Sequence, residues 1–461
     1  MTMDDEAQAA PARTPPSEDG QFLARIIGAA GDRDGPLLRR LIKDLDPADL
    51  ADVIEHLPGE AMRHALTLIG AELPAEMLAE LSWEKREEVL ALLPSEYLGR
   101  ALGELDTDDA AAVAADVDEK KLGAVLAAAP DDVRLAVEEA LSFEEETAGR
   151  LMQREYVAAH EGSTVGEVID RLRAESAELP EIFFEIYIVD AAMRPIGAAH
   201  VSTLMRAARN TPIATLMTPP RLLIRQEMDQ EEVAHAFQKY HLASAPVVDD
   251  AGRLTGMVTV DDIVDVIQEE GEEDLLKLSG VSEASQTDTV ARSVRARAPW
   301  LFLNLLTGVS ASIVIAVFQD SIDKMVALAV LMPVVSSLGG NAAMQALAVA
   351  VRALAAREVS AVNALRFVAR EAMTGVFNGF IVALLLGVVA GFWFQSPGLA
   401  IAAALSVVVN LAAAGLAGSL VPLALQRVGA DPAVASSVIV TWLTDLIGFL
   451  AFLGIATMIL F

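Results

Sequence analysis

One carboxylate, Asp445, lies near the middle of an apolar stretch that runs from Ala433 to Phe461 and holds no other acidic residue. An ionised side chain at the centre of a bilayer costs roughly 2.5 to 17 kcal/mol, so such a residue is seldom kept without a function. Its position predicts that Asp445 faces a water-filled cavity and meets a cation there. The alternative is a buried carboxylate that pairs with a neighbouring helix, for which the sequence offers few deep partners.

A second group of carboxylates lies before the apolar part of the chain. Asp262, Asp265 and Glu269 are spaced i, i+3 and i+7, so they share one helix face, opposite Ile263 and Val266. Like charges at this spacing repel. A divalent cation between this face and another acidic surface would relieve the repulsion. The alternative is a solvated acidic face, and the sequence alone leaves both open.

Charge and hydrophobicity are segregated along the 461 residues. Hydrophobic residues make up 53% of the chain, yet its formal net charge is −31. The segment from Pro299 onward carries six acidic and six basic residues, so the whole imbalance belongs to the part before it. That acidic part repels nucleic acid and attracts cations. The absence of cysteine excludes disulfides and thiolate metal sites, which leaves hard oxygen ligands.

Five apolar runs follow Arg297, at about 299–318, 325–351, 372–394, 399–426 and 434–460. Each reaches the ~20 residues that a helix needs to cross the hydrocarbon core. Arginines cluster before the first run and around the second connection, and one lies in the fourth, whereas the first and third connections hold only Lys324. This bias predicts a multi-pass protein of the cell (inner) membrane with a cytoplasmic N-terminus and the C-terminus outside.

The second run contains helix-weakening residues beside polar ones. Residues 331–345 read Leu-Met-Pro-Val-Val-Ser-Ser-Leu-Gly-Gly-Asn-Ala-Ala-Met-Gln. Pro333 removes a helix hydrogen bond, and Gly339-Gly340 weaken the helix one to two turns later. Broken helices at membrane depth commonly line ion paths, because water or protein must satisfy the freed backbone. An interrupted or softened helix beside Asn341 and Gln345 is therefore expected.

The part before the spans contains two kinds of repeat. Helix-start signals at Asp46, Ser82, Asp106 and Pro130 predict a small α-superhelix. A strand–turn–strand order then occurs twice, each time after a helix, and predicts a pair of α/β modules. The predicted helices are 165–174 and 230–241, and the predicted strands are 182–189, 196–201, 245–248 and 254–260.

These features together resemble the MgtE family of magnesium channels over residues 20–461. The resemblance is carried by Thr147-Ala-Gly-Arg-Leu-Met before the module pair, by the 331–342 stretch, and by Thr444-Asp445 with Gly448-Phe449. It implies a multi-domain membrane protein. The implied parts are an N-terminal α-superhelical domain (21–146), two CBS modules (147–210 and 211–270), a connecting helix (271–298) and a five-helix transmembrane pore domain (299–461). Composition predicts a disordered lead before them (1–20), because this segment is polar and rich in proline and alanine.

The resemblance also implies a mechanism. In a homodimer, Asp445 of each copy would meet at the two-fold axis and hold hydrated Mg²⁺, with Asn341 lining the path and Thr441 contributing its backbone. Mg²⁺ bound among acidic residues of the cytoplasmic domains would close the pore through the connecting helix. By motif position, the residues of this sensor are Asp229, Glu231, Asp262, Asp265, Glu270, Glu273, Asp274 and Asp431.

The chain departs from the family pattern in three places. It reads Ser436-Ser437-Val438 where relatives commonly have Ser-Gly-Pro, which implies a straighter last span. His241 stands where relatives often have aspartate, which implies a weaker or pH-sensitive cytoplasmic site. Trp442 is bulkier than usual near the pore carboxylate, which implies altered conduction.

Two other functions remain open at this stage. One is a broader divalent-cation transporter for Co²⁺, Ni²⁺ or Mn²⁺, or one coupled to protons or sodium. The other is a membrane-anchored sensor with an impaired pore, whose CBS modules bind an adenine nucleotide with residues 259–262 at the ribose. An enzyme is not predicted, because the sequence offers no nucleophile–base set.

Overall fold

A computed structural model of the chain describes residues 15–175, 179–180, 182–278, 290–360, 362–432 and 436–461. The chain divides into two compact units, one that ends at Ile267 and one that begins at Gln268. Residues 1–14 of the predicted lead lie outside the described residues, and the first helix begins at Gly20.

Short helices form the first part of the first unit. They are α1 (Gly20–Gly31), α2 (Gly35–Ile42), α3 (Pro47–Glu55), α4 (Gly59–Ile69), α5 (Glu76–Ala79), α6 (Trp83–Leu92), α7 (Ser95–Leu102), α8 (Thr107–Ala115), α9 (Glu119–Ala128) and α10 (Asp131–Ala140), with a 3-10 turn at Gly70–Glu72. Their apolar faces share one hydrophobic core.

The predicted helix starts of this part are confirmed. Helices α3, α6, α8 and α10 each begin at the residue after the predicted start signal. At α3 the Asp46 side chain accepts a hydrogen bond from the backbone N–H of Ala48 (3.1 Å), which satisfies one of the free donors at a helix N-terminus. Local capping chemistry therefore explains where α3 begins, whereas α6, α8 and α10 begin without a hydrogen bond from the side chain of the capping residue.

Two α/β modules complete the first unit. Their elements are α11 (Ala148–Leu151), β1 (Ala158–His160), α12 (Val165–Ala174), β2 (Glu185–Val189), β3 (Pro195–His200), α13 (Val201–Leu204), a 3-10 turn (Ile213–Thr215), β4 (Ile224–Arg225), α14 (Gln230–Tyr240), β5 (Ser244–Val248) and β6 (Leu254–Thr259). They are followed by α15 (Val260–Leu278).

Each module contains a three-stranded sheet of the same topology. In the first, β1 is parallel to β2 and β2 is antiparallel to β3, with Ala158 opposite Tyr187 and Ile186 opposite Ala199. The second repeats this order with β4, β5 and β6. The predicted strand–turn–strand repeat is confirmed, although β2 begins only at Glu185. The short parallel strands β1 and β4 were not predicted.

The acidic helix α15 continues past the second module without a break. Of the predicted connecting helix 271–298, residues 271–278 belong to α15 and residues 290–298 open the next helix. Residues 279–289 lie outside the described residues.

Among the described residues, five helices are long and apolar enough to cross a membrane. After the end of α15, the second unit contains α16 (Val290–Val317), the short α17 (Gln319–Lys324), α18 (Ala327–Ala355), α19 (Ala364–Phe394), α20 (Pro397–Arg427) and α21 (Ser436–Leu460). The predicted multi-domain fold class is confirmed by this architecture and by the family matches reported below.

The expectation of an interrupted second span is wrong. Helix α18 continues through Pro333, Gly339 and Gly340. A proline removes only one N–H donor, and at membrane depth neighbouring helices can satisfy the backbone group that is left without a partner. Gly339 serves packing instead, because a Cβ added there would lie 2.2 Å from Nδ2 of Asn410 on α20.

Candidate metal centres

Asp445 has a hydrogen-bond partner on a neighbouring span. It lies on α21, and the hydroxyl of Ser336 on α18 donates to its Oδ1. Both side chains are only half-buried in the single chain. The structure thus supplies one deep partner that the sequence did not identify, because the local pattern does not show which serine hydroxyl of an apolar span faces α21. The bond engages one carboxylate oxygen.

A polar stripe runs along α18 next to this pair. Ser337, Asn341 and Gln345 follow one another at intervals of four residues, so they share one helix face, and all three are exposed in the single chain. Among the described residues, no side-chain hydrogen bond joins Asn341 or Thr441 to Asp445. Polar side chains exposed at this depth require water or a second protein surface.

Thr441 lies one turn before Asp445 on an unbroken helix. Its hydroxyl donates to the carbonyl of Ser437 (2.8 Å), and its own carbonyl accepts from the hydroxyl of Thr444 (2.9 Å). Helix α21 is continuous from Ser436, which agrees with the straighter last span that is expected because Ser437-Val438 replaces Gly-Pro. The indole of the neighbouring Trp442 donates to Ser310 Oγ on α16 (2.6 Å).

Asn410 on α20 is a second residue that sequence reasoning missed. Its side chain is fully buried, and its Nδ2 donates to the carbonyl of Val335 (2.9 Å), the residue before Ser336. Its Oδ1 has no hydrogen-bond partner within the described part of the chain. A Cβ added at Gly448 on α21 would lie 2.7 Å from Asn410 Nδ2. Asn410 thus packs between α18 and α21 close to the Ser336–Asp445 pair. It could have been noticed as the one amide deep in the fourth span.

The first unit contains an acidic cluster, formed by Glu80, Asp108, Asp109, Asp262 and Asp265, of which Asp108 alone is fully buried. Burial raises the pKa of Asp262 to about 7 and that of Asp109 to about 6. Burial and the charge of Asp262 raise the pKa of Asp108 well above its usual value. The pKa values of Asp265 and Glu80 are raised by burial and then by neighbouring carboxylates. The predicted Asp262 and Asp265 therefore meet acids of the helical part that the sequence did not connect to them.

Asp262 also forms local hydrogen bonds at the start of α15. Its Oδ2 accepts hydrogen bonds from the hydroxyl (2.5 Å) and the backbone N–H (3.3 Å) of Thr259. Across the described ranges, no three His, Asp or Glu side chains are placed to hold one metal ion together. Proteins usually bind Mg²⁺ with one or two carboxylates, and water molecules supply the other ligands. The acidic cluster therefore suits Mg²⁺ even though it does not surround an ion with protein ligands.

A third group lies in the second unit, around Lys277 near the end of α15. Its Nζ is 2.6 Å from Glu273 Oε1 and 2.8 Å from Asp431 Oδ2. Burial lowers the pKa of Lys277, but the hydrogen bonds to the two carboxylates outweigh this effect and raise it. Burial and the charge of Asp431 raise the pKa of Asp274. The predicted Glu273, Asp274 and Asp431 are thus brought together around an ammonium that the sequence did not place there.

The remaining predicted ligands are found elsewhere. Asp229 caps α14 by accepting from the N–H of Glu231 (2.8 Å), so both belong to that helix start. Glu270 lies on α15 between the other two acidic groups. His241 ends α14 with a left-handed backbone, φ 52°, and is exposed. This conformation is more accessible to His, Asn and Asp than to most residues.

Three family models match the chain. A model described as a divalent cation transporter, MgtE, matches residues 332–455. The MgtE intracellular N domain matches residues 45–146, and the CBS domain matches residues 213–269. The first α/β module has the same sheet topology as the second, although this last match covers only the second module.

Curated relatives match nearly the whole chain. The magnesium transporter MgtE of Thermus thermophilus is 35% identical over 433 residues, which cover 93% of this chain and 96% of that protein. The Bacillus subtilis protein of the same name is 30% identical over 440 residues, 95% of this chain and 97% of that one. Among solved structures, the crystal structure of the cytosolic domain of the Mg²⁺ channel MgtE in complex with ATP has 36% sequence identity to this chain. The match covers 53% of this chain and 99% of the solved chain, with a TM-score of 0.48.

Proposed function

Because the chain belongs to the MgtE family of divalent cation transporters, we propose that it is a homodimeric channel that passes hydrated Mg²⁺ and closes when Mg²⁺ binds its acidic cytoplasmic part. The protein is a membrane transporter with an intracellular N domain and a CBS domain, and no enzyme family is indicated.

The observation that carries the proposal is the Asp445 carboxylate beside the polar stripe of α18. Ser336 engages Oδ1, which leaves Oδ2 for the ion. The exposed Ser337, Asn341 and Gln345 offer further hydrogen-bonding groups along the same helix. A second copy packed against this face would enclose a polar path through an otherwise apolar region. Carboxylates within membrane spans typically face such paths and bind the ions that pass along them.

The charge of Asp445 suits Mg²⁺ in its hydrated form. Mg²⁺ loses its water reluctantly and is usually bound by one or two carboxylates. Two Asp445 side chains, one from each copy, would match its charge and accept hydrogen bonds from its water shell. Asn341 would contact the same shell. Thr441 would contribute through its hydroxyl oxygen, which can accept from the water shell while the hydroxyl proton is donated to Ser437, since its carbonyl already accepts from Thr444.

The proposed topology follows from the basic residues. Arg352, Arg366 and Arg370 lie at the connection between α18 and α19, and Arg427 ends α20. The positive-inside rule puts these ends in the cytoplasm. The C-terminus after α21 then lies outside.

The proposed closure uses the two acidic groups at opposite ends of α15. In the acidic cluster, a bound cation would offset the mutual repulsion that, together with burial, raises the pKa values of Asp108 and Asp262. At the other end, Mg²⁺ would compete with Lys277 for Glu273, Asp274 and Asp431. Glu270 lies between these groups, whereas Asp229 and Glu231 form a further acidic position at the start of α14.

Mg²⁺ uptake into proteoliposomes tests the pore. The Asp445→Asn variant removes the charge and keeps the shape of the side chain, so uptake is expected to collapse. The matched control is Asp323→Asn, an exposed acid on α17 between two spans. Equal uptake in wild type and Asp445→Asn would remove Asp445 from the mechanism. Uptake of Co²⁺, Ni²⁺ or Mn²⁺ at the Mg²⁺ rate would favour the broader transporter.

Closure is tested by the double variant Asp262→Asn/Asp265→Asn. We expect its pore to stay open at internal Mg²⁺ concentrations that shut the wild type. The control, Asp132→Asn/Glu138→Gln, neutralises two exposed acids of α10. A double variant that closes at the wild-type concentration would exclude these residues from the sensor.

A nucleotide at the CBS modules is a second, compatible proposal. Its support is the Thr259–Asp262 pair at the junction of β6 and α15, which offers a hydroxyl and a carboxylate to a ribose. Titration calorimetry of the full-length protein with ATP is expected to give binding heat that Thr259→Ala weakens. An ATP-binding protein with no cation uptake would favour the sensor with an impaired pore, and the absence of heat with any adenine nucleotide would end the proposal.

A further inference from the structure

Three arginines surround one open cavity at the polar ends of α18 and α19. Arg352 lies in the last turn of α18, and Arg366 and Arg370 lie in the first two turns of α19. The cavity has a volume of about 440 Å³ and is also lined by Val349, Glu358, Asn363 and Phe367. Everything that lines it belongs to the second unit.

The cavity has an excess of positive charge that the described residues do not neutralise. Glu358 is the single acid among its lining residues. The Nη2 of Arg370 lies 3.3 Å from Oε1 of Glu371, and its guanidinium group lies over the ring of Phe367. Across the described ranges, the guanidinium groups of Arg352 and Arg366 take part in no ion pair or hydrogen bond. Four of the six basic residues after Pro299 lie between residues 352 and 370.

The surroundings of the cavity favour a bilayer ligand over a free anion. Val362 and Leu365, beside the arginines, are 96% and 81% exposed. Val349 in the cavity wall is also exposed, and α18 and α19 continue from here as apolar spans. Exposed apolar side chains beside guanidinium groups suit a molecule that is charged at one end and apolar at the other.

We propose that this cavity binds the phosphate of an anionic phospholipid from the cytoplasmic leaflet. Guanidinium groups match phosphate oxygens in charge and geometry, and basic pockets between spans on the cytoplasmic side are recognised headgroup sites. The phosphate contacts Arg352 and Arg366, Asn363 donates from its amide, and the acyl chains lie along the apolar surface of the spans. Such a lipid would hold the α18–α19 connection at the membrane surface.

Lipid binding to the purified full-length protein in detergent tests the proposal. Native mass spectrometry would measure the affinities for phosphatidylglycerol and phosphatidylcholine. At roughly 1 kcal/mol for each arginine near the surface, Arg352→Gln/Arg366→Gln should weaken phosphatidylglycerol binding by about 30-fold. Phosphatidylcholine binding should be weak in both proteins. The matched control is Arg427→Gln, which removes an exposed arginine at the end of α20 outside the cavity.

A second variant separates recognition from general charge attraction. Arg352→Lys/Arg366→Lys keeps the charge but loses the guanidinium geometry, so its affinity should fall between those of wild type and the glutamine variant. Unchanged phosphatidylglycerol affinity in the glutamine variant, or an equal loss in Arg427→Gln, would overturn the proposal. Displacement of the lipid by equimolar inorganic phosphate would overturn the assignment to a lipid and leave a free-anion site.

Discussion

Ser336 and Asp445 form the pair on which the proposed pore chemistry depends. The hydroxyl donates to one carboxylate oxygen, which orients the side chain and leaves the other oxygen for the water shell of an ion. A hydrogen bond to a charged group contributes about 1.5–3 kcal/mol. The half-saturating ion concentration should therefore respond to Ser336 as well as to the carboxylate itself.

Replacing Ser336 by alanine should raise the Mg²⁺ concentration for half-maximal uptake by about tenfold or more, because each 1.4 kcal/mol of lost orientation corresponds to a factor of ten. Ser336→Thr retains the hydroxyl and should remain near the wild type. The measurement is the initial uptake rate as a function of external Mg²⁺. Ser312→Ala, which removes a hydroxyl that bonds only within α16, is the control. A lower half-saturating concentration in Ser336→Ala would show that the hydroxyl competes with the ion.

Closure by Mg²⁺ should depend on internal pH through Asp262. Its pKa is about 7, and a metal ion binds the deprotonated carboxylate. As pH falls through 7, protons occupy the site, so the Mg²⁺ concentration for half-closure should rise by up to about tenfold per pH unit for each proton displaced.

Half-closure measured at internal pH 8, 7 and 6 tests this dependence. The Asp262→Asn variant should lose most of it, whereas Asp132→Asn on α10 should keep it. A wild type that closes at the same Mg²⁺ concentration at pH 6 and pH 8 would contradict the role given to Asp262.

At the scale of the helices, α18, α20 and α21 meet at Asn410. The amide lies against Gly339 and Gly448, and it hydrogen-bonds Val335 directly before Ser336. Small residues allow close approach of membrane helices, where packing and interhelical hydrogen bonds replace the hydrophobic drive of water. This contact sets the distance between the helix that carries Ser336 and the helix that carries Asp445.

Two adjacent glycines of α18 give a matched test of this packing. A Cβ at Gly339 would lie 2.2 Å from Asn410 Nδ2, whereas a Cβ at Gly340 would meet no atom within 4 Å. Overpacking typically costs about 1–3 kcal/mol. Gly339→Ala should therefore lower the thermal unfolding midpoint in detergent by several degrees, and Gly340→Ala should leave it unchanged or raise it. Equal midpoints for the two variants would contradict the close approach.

Across the whole molecule, the sequence predicted the elements better than the contacts between them. Capping signals such as Asp46 and strand–turn–strand patterns are local, so they located the helices and the module pair. Hydropathy located the five spans, and Asp445 was identified from its isolation in an apolar run. The family assignment based on motif order is confirmed by the comparisons.

What the sequence did not predict depends on distant residues meeting in space. Nothing in the local pattern connects Asp108 with Asp262, Lys277 with Asp431, or Ser336 with Asp445. A broken or softened helix was predicted around Pro333 from local propensity, whereas α18 is continuous there and Gly339 packs against Asn410 of another span. The shared use of Asp445 by two copies is beyond both the sequence and a single chain, and it remains a proposal.

The central claim is that two Asp445 carboxylates hold one ion jointly, and mixed dimers test it most directly. Wild-type and Asp445→Asn copies with different tags would be co-expressed, purified through both tags and assayed for Mg²⁺ uptake in proteoliposomes. If one ion needs both charges, the mixed dimer should transport at below about a tenth of the wild-type rate, since losing one partner costs at least 1.4 kcal/mol. A mixed dimer that transports at half the wild-type rate would mean that each copy conducts alone, which contradicts the shared site.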